Sequence, residues 1–425
     1  SMQPSRAPHV TEALGPRRTC GRPAARTQRG KQRPPAPIQA AMRTIAACRR
    51  SGAWQQVLQA LHGLQRQGLA PDVVLCSAAV AACAAAGQWL AALGLFMECR
   101  GRGLEPDVIA YNSAVTTCEK AGAWVCAGGL LDEMRSSSLS LAVISYSAAI
   151  STCEKALQWE QGLRVLCEMR RRGAAPDAIA CNALISACAR DGRWELALSV
   201  LGGMREELVE STVVTYNAVV TACEKGLQWR WPLALLDEMR RGRLDPDLVS
   251  YSSAISACEK CRQWAMAIDL LGEMQQEAAR PNVVTFNAAI SALEEGGLWR
   301  EALGLLAAMR EQRVTPTRIS FNAAISVCEK GGRWQQCVAL LDEMQHQAHL
   351  QPDEVTFGSV VAACAADAEG RRAAGLVQEM QSRAVPVDEI TFNFAVLACV
   401  KAGRFRRALG LMEDLRRQGR PGKKS

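Results

Sequence analysis

Three kinds of side chain recur along this chain at a spacing of 35 residues, and together they have the chemistry of a clamp. The first is small and forms hydrogen bonds: Ser77, Asn112, Ser147, Asn182, Asn217, Ser252, Asn287 and Asn322. Three residues before each lies a β-branched apolar residue: Val74, Ile109, Ile144, Ile179, Val214, Val249, Val284 and Ile319, with Val355 continuing the series. Eight residues after most of them lies a cation: Lys120, Lys155, Arg190, Lys225, Lys260 and Lys330. An amide both donates and accepts, and a hydroxyl does the same in less space. A β-branched side chain is stiff at its first torsion, and Lys and Arg attract anions. This set serves binding. Only four His occur, none in the repeat register, no P-loop or zinc-deaminase signature is present, and Cys258 and Cys261 form a lone Cys-x-x-Cys without a second pair, so no catalysis, metal or cofactor is expected.

The elements that must position these residues follow from the period. A fixed repeat of this length is the mark of a solenoid. Units start at 38, 73, 108, 143, 178, 213, 248, 283, 318, 354 and 389, and only the unit from 318 has 36 residues. The first and last units are weaker and read as caps. Each unit reads as two helices. The first covers positions 1 to 14 and ends at a turn, often glycine, such as Gly122, Gly192 or Gly332. The second starts near a tryptophan (position 17, as in Trp194) and ends near a methionine (position 27, as in Met204). Pro-Asp or Pro-Asn then closes many units, as at Pro246-Asp247 and Pro281-Asn282; proline stops one helix and the next residue opens another. The Trp and Met stripe is expected to form the core between helices.

Helical pitch divides the first helix into two faces. Positions 4, 8 and 11, such as Tyr216, Val220 and Cys223, cluster within about 60° and make the core face. Positions 2, 9 and 13 cluster within about 40° on the other side, with position 5 about 60° from position 2. Stacking the units lines one inner wall with these residues. A ligand clamp is one account of the β-branched row; the other is that it fills gaps between neighbouring units.

The chain has 18 Cys, 49% hydrophobic and 5% aromatic residues, and a net charge of +8. Ten Cys recur once per unit, with Leu293 in the equivalent place of another, so they read as reduced core residues of a reducing compartment. The charge is uneven: residues 1–37 and 401–425 each carry +7, which leaves −6 for 38–400. Residues 1–37 read as a basic disordered tail or an organellar transit peptide. No apolar run is long enough to span a membrane.

The stretch "VVTYNAVVTACEK", the helical hairpin, the 35-residue register and the closing Pro-Asp resemble the pentatricopeptide repeat family, in its plain class, over residues 38–423. The resemblance implies an all-α, right-handed superhelix of about eleven hairpins that binds single-stranded RNA, one base per unit. It implies that position 5 and the last residue of a unit read the base, that position 2 of successive units sandwiches it, and that position 13 approaches phosphate. On this reading Ser77 with Asp107 and Ser147 with Asp177 resemble guanine readers. Asn182 with Thr212 and Asn287 with Thr317 resemble pyrimidine readers, and Asn217 with Asp247 and Asn322 with Asp353 uracil readers. Ser252 with Asn282 resembles an adenine reader, whereas Asn112 with Ala142 is off pattern and its base stays open. The implied target is 5′-G-N-G-Y-U-A-Y-U-3′. The implied role is non-catalytic, acting on chloroplast or mitochondrial transcripts as a monomer, alone or with a processing or editing enzyme supplied in trans. The rival reading is a protein-binding scaffold using the same wall.

Overall fold

The computed structural model describes residues 36–418, apart from 70, 138, 140, 278 and 347. The tail or transit-peptide reading therefore lies almost wholly outside the described residues. Those residues form 22 helices and no strand, from α1 (Ala36–Ser51) and α2 (Trp54–Arg66) to α21 (Glu389–Lys401) and α22 (Phe405–Gln418). They pair as eleven antiparallel hairpins. A representative stretch is α11 (Val213–Lys225), α12 (Arg230–Arg241) and α13 (Leu248–Lys260).

The closing acids explain where the odd-numbered helices start. Asp72, Asp107, Asp177, Asp247, Asn282, Asp353 and Asp388 are N-caps whose side chains accept the backbone N–H three residues on. Each such cap is worth about 1 kcal/mol. The turn inside each hairpin needs a left-handed residue. Gly52, Gly87, Gly122, Gly192, Gly297, Gly332 and Gly403 supply it. Leu157, Leu227, Arg262 and Ala368 adopt the same conformation, with φ of 58°, 55°, 59° and 58°, at a cost of roughly 1 kcal/mol each.

The odd-numbered helices pack directly on one another from unit to unit, whereas the even-numbered ones pack only on odd neighbours. The odd helices are therefore the inner layer. The outer layer is bridged by long ion pairs: Arg100–Glu133, Arg135–Glu168 at 2.5 Å, Arg205–Glu238, Arg240–Glu273 at 2.6 Å and Arg310–Glu343. Between the layers lie Tyr111, Tyr146, Tyr216, Tyr251, Phe286, Phe321, Phe357 and Phe392, all buried, and the methionines from Met134 to Met380. The ten recurring Cys and Leu293 are buried as well. All described Cys are free thiols. Burial pushes Cys223 and Cys258 up to about 12, which keeps them protonated.

The tryptophans correct the expectation of a uniform core stripe. Trp89 and Trp264 are exposed, and most of the others are only partly buried. They sit at the rim because each starts its helix or, like Trp229, caps it, and an arginine covers several: Arg193 lies 5.1 Å from the Trp159 ring and Arg333 5.3 Å from Trp299.

Candidate functional site

The β-branched row is open to solvent. Val74, Ile109, Ile144, Ile179, Val214, Val249, Val284, Ile319 and Val355 are 51–66% exposed, on the first turn of successive inner helices. Ile390 adds a tenth. They do not fill gaps between units. A regular exposed apolar row on one wall calls for a ligand where single exposed residues would not.

Beside this row the structure brings together pairs 30 or 31 residues apart. Ser77 Oγ lies 2.7 Å from Asp107 Oδ1, and Ser147 Oγ lies 2.9 Å from Asp177 Oδ1. Asn217 Nδ2 donates to Asp247 Oδ1 at 3.0 Å, and Asn322 Nδ2 to Asp353 Oδ1 at 3.2 Å. The last residue of a unit reaches position 5 because it is also the cap of the next inner helix. Ser77 and Ser147 are buried, at 4% and 6% exposure, where an open wall was expected. Their hydroxyls are drawn down to the carbonyls of Val73 and Val143, one turn earlier in the helix. The asparagines and Ser252 are half-buried.

The other pairs do not touch directly; a third residue intervenes. Thr215 donates to Asn182 Oδ1 at 2.7 Å, Ser320 to Asn287 Oδ1 at 2.6 Å, and Ser145 to Asn112 Oδ1. Ser252 and Thr285 share a hydroxyl contact of 2.8 Å. Position 3 of the following unit was not singled out from sequence, although its alternation of Ser, Thr and Ala was visible there.

Capping fixes the polarity of what remains. Asp247 Oδ1 accepts the Ser250 N–H at 2.9 Å, which leaves Oδ2 as a free acceptor. Burial pushes the Asp247 and Asp353 carboxyls up, but backbone N–H donors and the Asn217 and Asn322 amides more than offset this and hold both below their ordinary value. Asn282 Oδ1 accepts the Thr285 N–H at 2.9 Å, so its Nδ2 is the group left to donate. Ala142 opens α7 (Val143–Lys155) with no capping side chain. Ala142→Asp is expected to stabilise the fold by about 1 kcal/mol, read by denaturant unfolding, and to add the carboxylate that Asn112 lacks.

The cations are exposed, and five of the six have a partner within the protein. Lys155 pairs with Glu119 at 3.0 Å, Lys260 with Glu224 at 2.9 Å, and Lys330 with Glu294 at 3.3 Å. Lys120 and Lys225 donate to the carbonyls of Ala84 and Arg190. Arg190 is exposed. Each lysine reaches back one unit because the preceding helix ends within its length. Exposed pairs of this kind are worth roughly 0–1 kcal/mol, so an anion can compete for them. Among the described residues no group of His, Cys, Asp and Glu could hold a metal, and no helix is long and apolar enough to cross a membrane.

Family models match most of the chain. The model described as "Pentatricopeptide repeat domain" matches 59–121, 94–156, 164–225 and 297–331. "PPR repeat family" matches 246–295, and "PPR repeat" matches 144–173, 214–244, 319–347 and 390–420. Comparison with curated proteins gives no match. Among solved structures the chain is similar to the pentatricopeptide repeat protein PPR10 from maize, at 19% identity and TM-score 0.47, covering 91% of this chain and 69% of that one. The same protein in complex with an 18-nt psaJ RNA element gives 21% and 0.42, covering 90% of this chain and 64% of that one. The PPR domain of Arabidopsis thaliana protein-only RNase P 1 in complex with tRNA gives 16% and 0.37, covering 41% and 91%.

Proposed function

Because the chain belongs to the pentatricopeptide repeat family, we propose that it binds single-stranded RNA, one nucleotide per unit, along the wall of inner helices. One observation carries this reading: the exposed β-branched row, with a hydrogen-bonding set beside each member from Val74 to Ile319. Bases have apolar faces and polar edges, and the wall offers both kinds of contact in alternation. Each base slots between position 2 of one unit and position 2 of the next.

The cap polarity then selects bases. A free acceptor, as on Asp247, meets the N3–H of uracil, where cytosine presents a lone pair; on Asp353 the same oxygen pairs with Arg318 Nε at 3.1 Å, and the base competes with that exposed pair. The same acceptor on Asp107 and Asp177 meets the N1–H of guanine, where the sunken Ser77 and Ser147 leave room for two rings. The Nδ2 donor of Asn282 meets N1 of adenine. Phosphates displace Glu from Lys155, Lys260 and Lys330, and binding weakens as salt rises.

The protein acts by occupancy on chloroplast or mitochondrial transcripts, with any cutting or editing done by an enzyme in trans. The plain class, the monomeric state and the organelle belong to this proposal, and their support is the resemblance and the basic residues 1–37. Selection from a random RNA pool tests it. The expected consensus is 5′-G-N-G-Y-U-A-Y-U-3′; enrichment of no sequence would overturn the reading.

A further inference from the structure

Every base-reading asparagine is gripped from the next unit. Ser145, Thr215, Ser250, Ser320 and Thr356 each donate a hydroxyl hydrogen to the Oδ1 of Asn112, Asn182, Asn217, Asn287 and Asn322. These five residues hold position 3 of the following unit, and all are buried. Where position 5 is Ser77 or Ser147, the following position 3 is Ala110 or Ala180, with no hydroxyl to give. So every asparagine reader has a hydroxyl partner and these two serine readers have none, while Ser252 shares a hydroxyl contact with Thr285.

The direction of these bonds can be deduced. The atom of Asn217 facing Asp247 must be Nδ2, because an ionised carboxylate only accepts. Its other end, Oδ1, therefore faces Ser250 at 2.5 Å. Asn322 is fixed the same way between Asp353 and Thr356. In two of the three asparagine units without an aspartate the hydroxyl oxygen also accepts a backbone N–H. Thr215 accepts the Thr212 N–H at 3.1 Å and Ser320 accepts the Thr317 N–H at 3.0 Å. The hydroxyl hydrogen points to the amide oxygen, over 2.7 Å from Thr215 and 2.6 Å from Ser320, and Ser145 donates to Asn112 in the same way. A primary amide has two orientations of nearly equal shape and opposite polarity, and whatever holds its oxygen decides which is presented.

We propose that the hydroxyl at position 3 of the following unit is a positioning residue for base selection: it turns the asparagine so that an N–H donor faces the RNA. This rests on the RNA-binding reading and deepens it. The reading set of such a unit has three members, one of them on the neighbouring hairpin. The donor it presents meets O2, the carbonyl oxygen that uracil and cytosine share. It follows that the unit of Asn112, whose last residue Ala142 offers no polar side chain, still selects a pyrimidine, because Ser145 alone orients its amide.

That unit gives the cleanest test. Four RNAs of the sequence 5′-G-N-G-Y-U-A-Y-U-3′, differing only at the second nucleotide, are titrated against the full chain and its variants. The unaltered protein is expected to favour U and C over A and G by about three- to tenfold, the range of one net hydrogen bond. Ser145→Ala is expected to bring that ratio close to one while leaving selection at the other nucleotides intact. Alanine fits, since Ala110 and Ala180 stand there in other units. Ser145→Thr, with the residue type of Thr215, is expected to keep the ratio. Equal discrimination by Ser145→Ala and the unaltered protein would overturn the inference and leave the RNA reading standing. So would indifference at the second nucleotide alone, or loss of the ratio in both variants. Indifference at every nucleotide would instead refute the RNA reading, and this inference with it.

Discussion

Asn217→Ser combined with Asp247→Asn is expected to move the preference at one nucleotide, the fifth of the eight, from uracil to adenine. The reason lies in the cap. Asp247 spends Oδ1 on the Ser250 N–H and the Asn217 amide, and Oδ2 remains as the acceptor that the proposed reading assigns to the uracil N3–H. Asparagine in its place would still spend Oδ1 on the cap, as Asn282 does, and would offer a donor to adenine N1. Serine in place of Asn217 shortens the reader and makes room for a second ring. The relative affinity for the two bases should shift by about tenfold or more, the scale of one well-placed polar contact to a base. The sign of the pH dependence follows from the lowered Asp247 carboxyl. Its contribution is fully present above the ordinary carboxylate range and is lost only as pH falls through the lower folded value. Uracil preference at this unit should therefore persist across neutral and mildly acidic pH. Titration with four RNAs that differ at the fifth nucleotide measures both effects, and an unmoved preference in the double variant rejects the assignment for this unit.

Val214→Asp together with Val249→Asp should cost affinity without costing stability. Both side chains are largely exposed, at 66% and 51%, so the fold gains little from them. On the proposed RNA reading they close on the base of the unit from 213, and each also touches a neighbouring base. Contact with a base face is worth about 1–3 kcal/mol, and two carboxylates would add repulsion for phosphate. A loss on the order of a hundredfold in affinity is expected, with a thermal midpoint within a few degrees of the unaltered protein. Unchanged affinity would remove the sandwich role from this row.

Much of this architecture could be read from the sequence because it rests on local rules. The Pro-Asp pairs mark helix starts, and the capping bonds of Asp107, Asp177 and Asp247 show why. The two faces of the first helix follow from pitch, which separates buried Tyr216 and Cys223 from exposed Val214. What could not be read depended on the offset between units. Lys155 meets Glu119, and Thr215 meets Asn182, only because adjacent inner helices are shifted by a particular amount along their axes. No property of either residue sets that shift. Leu157 and Leu227 mislead for a related reason: leucine does not favour a left-handed turn, but the register of the stack imposes one. Ser77 was legible as a residue type but not as a buried one, since its depth depends on the Asp107 carboxylate above it.

The unequal stitching of the two layers has a mechanical consequence. The inner helices touch continuously, while the outer ones are tied by arginine and glutamate side chains with several rotatable bonds each, as in Arg135–Glu168 and Arg240–Glu273. Such a body behaves like a bellows hinged along its inside seam. Its outer pleats can open or close by small torsional adjustments, so the coil can change its winding while each hairpin and its capped seam stay whole.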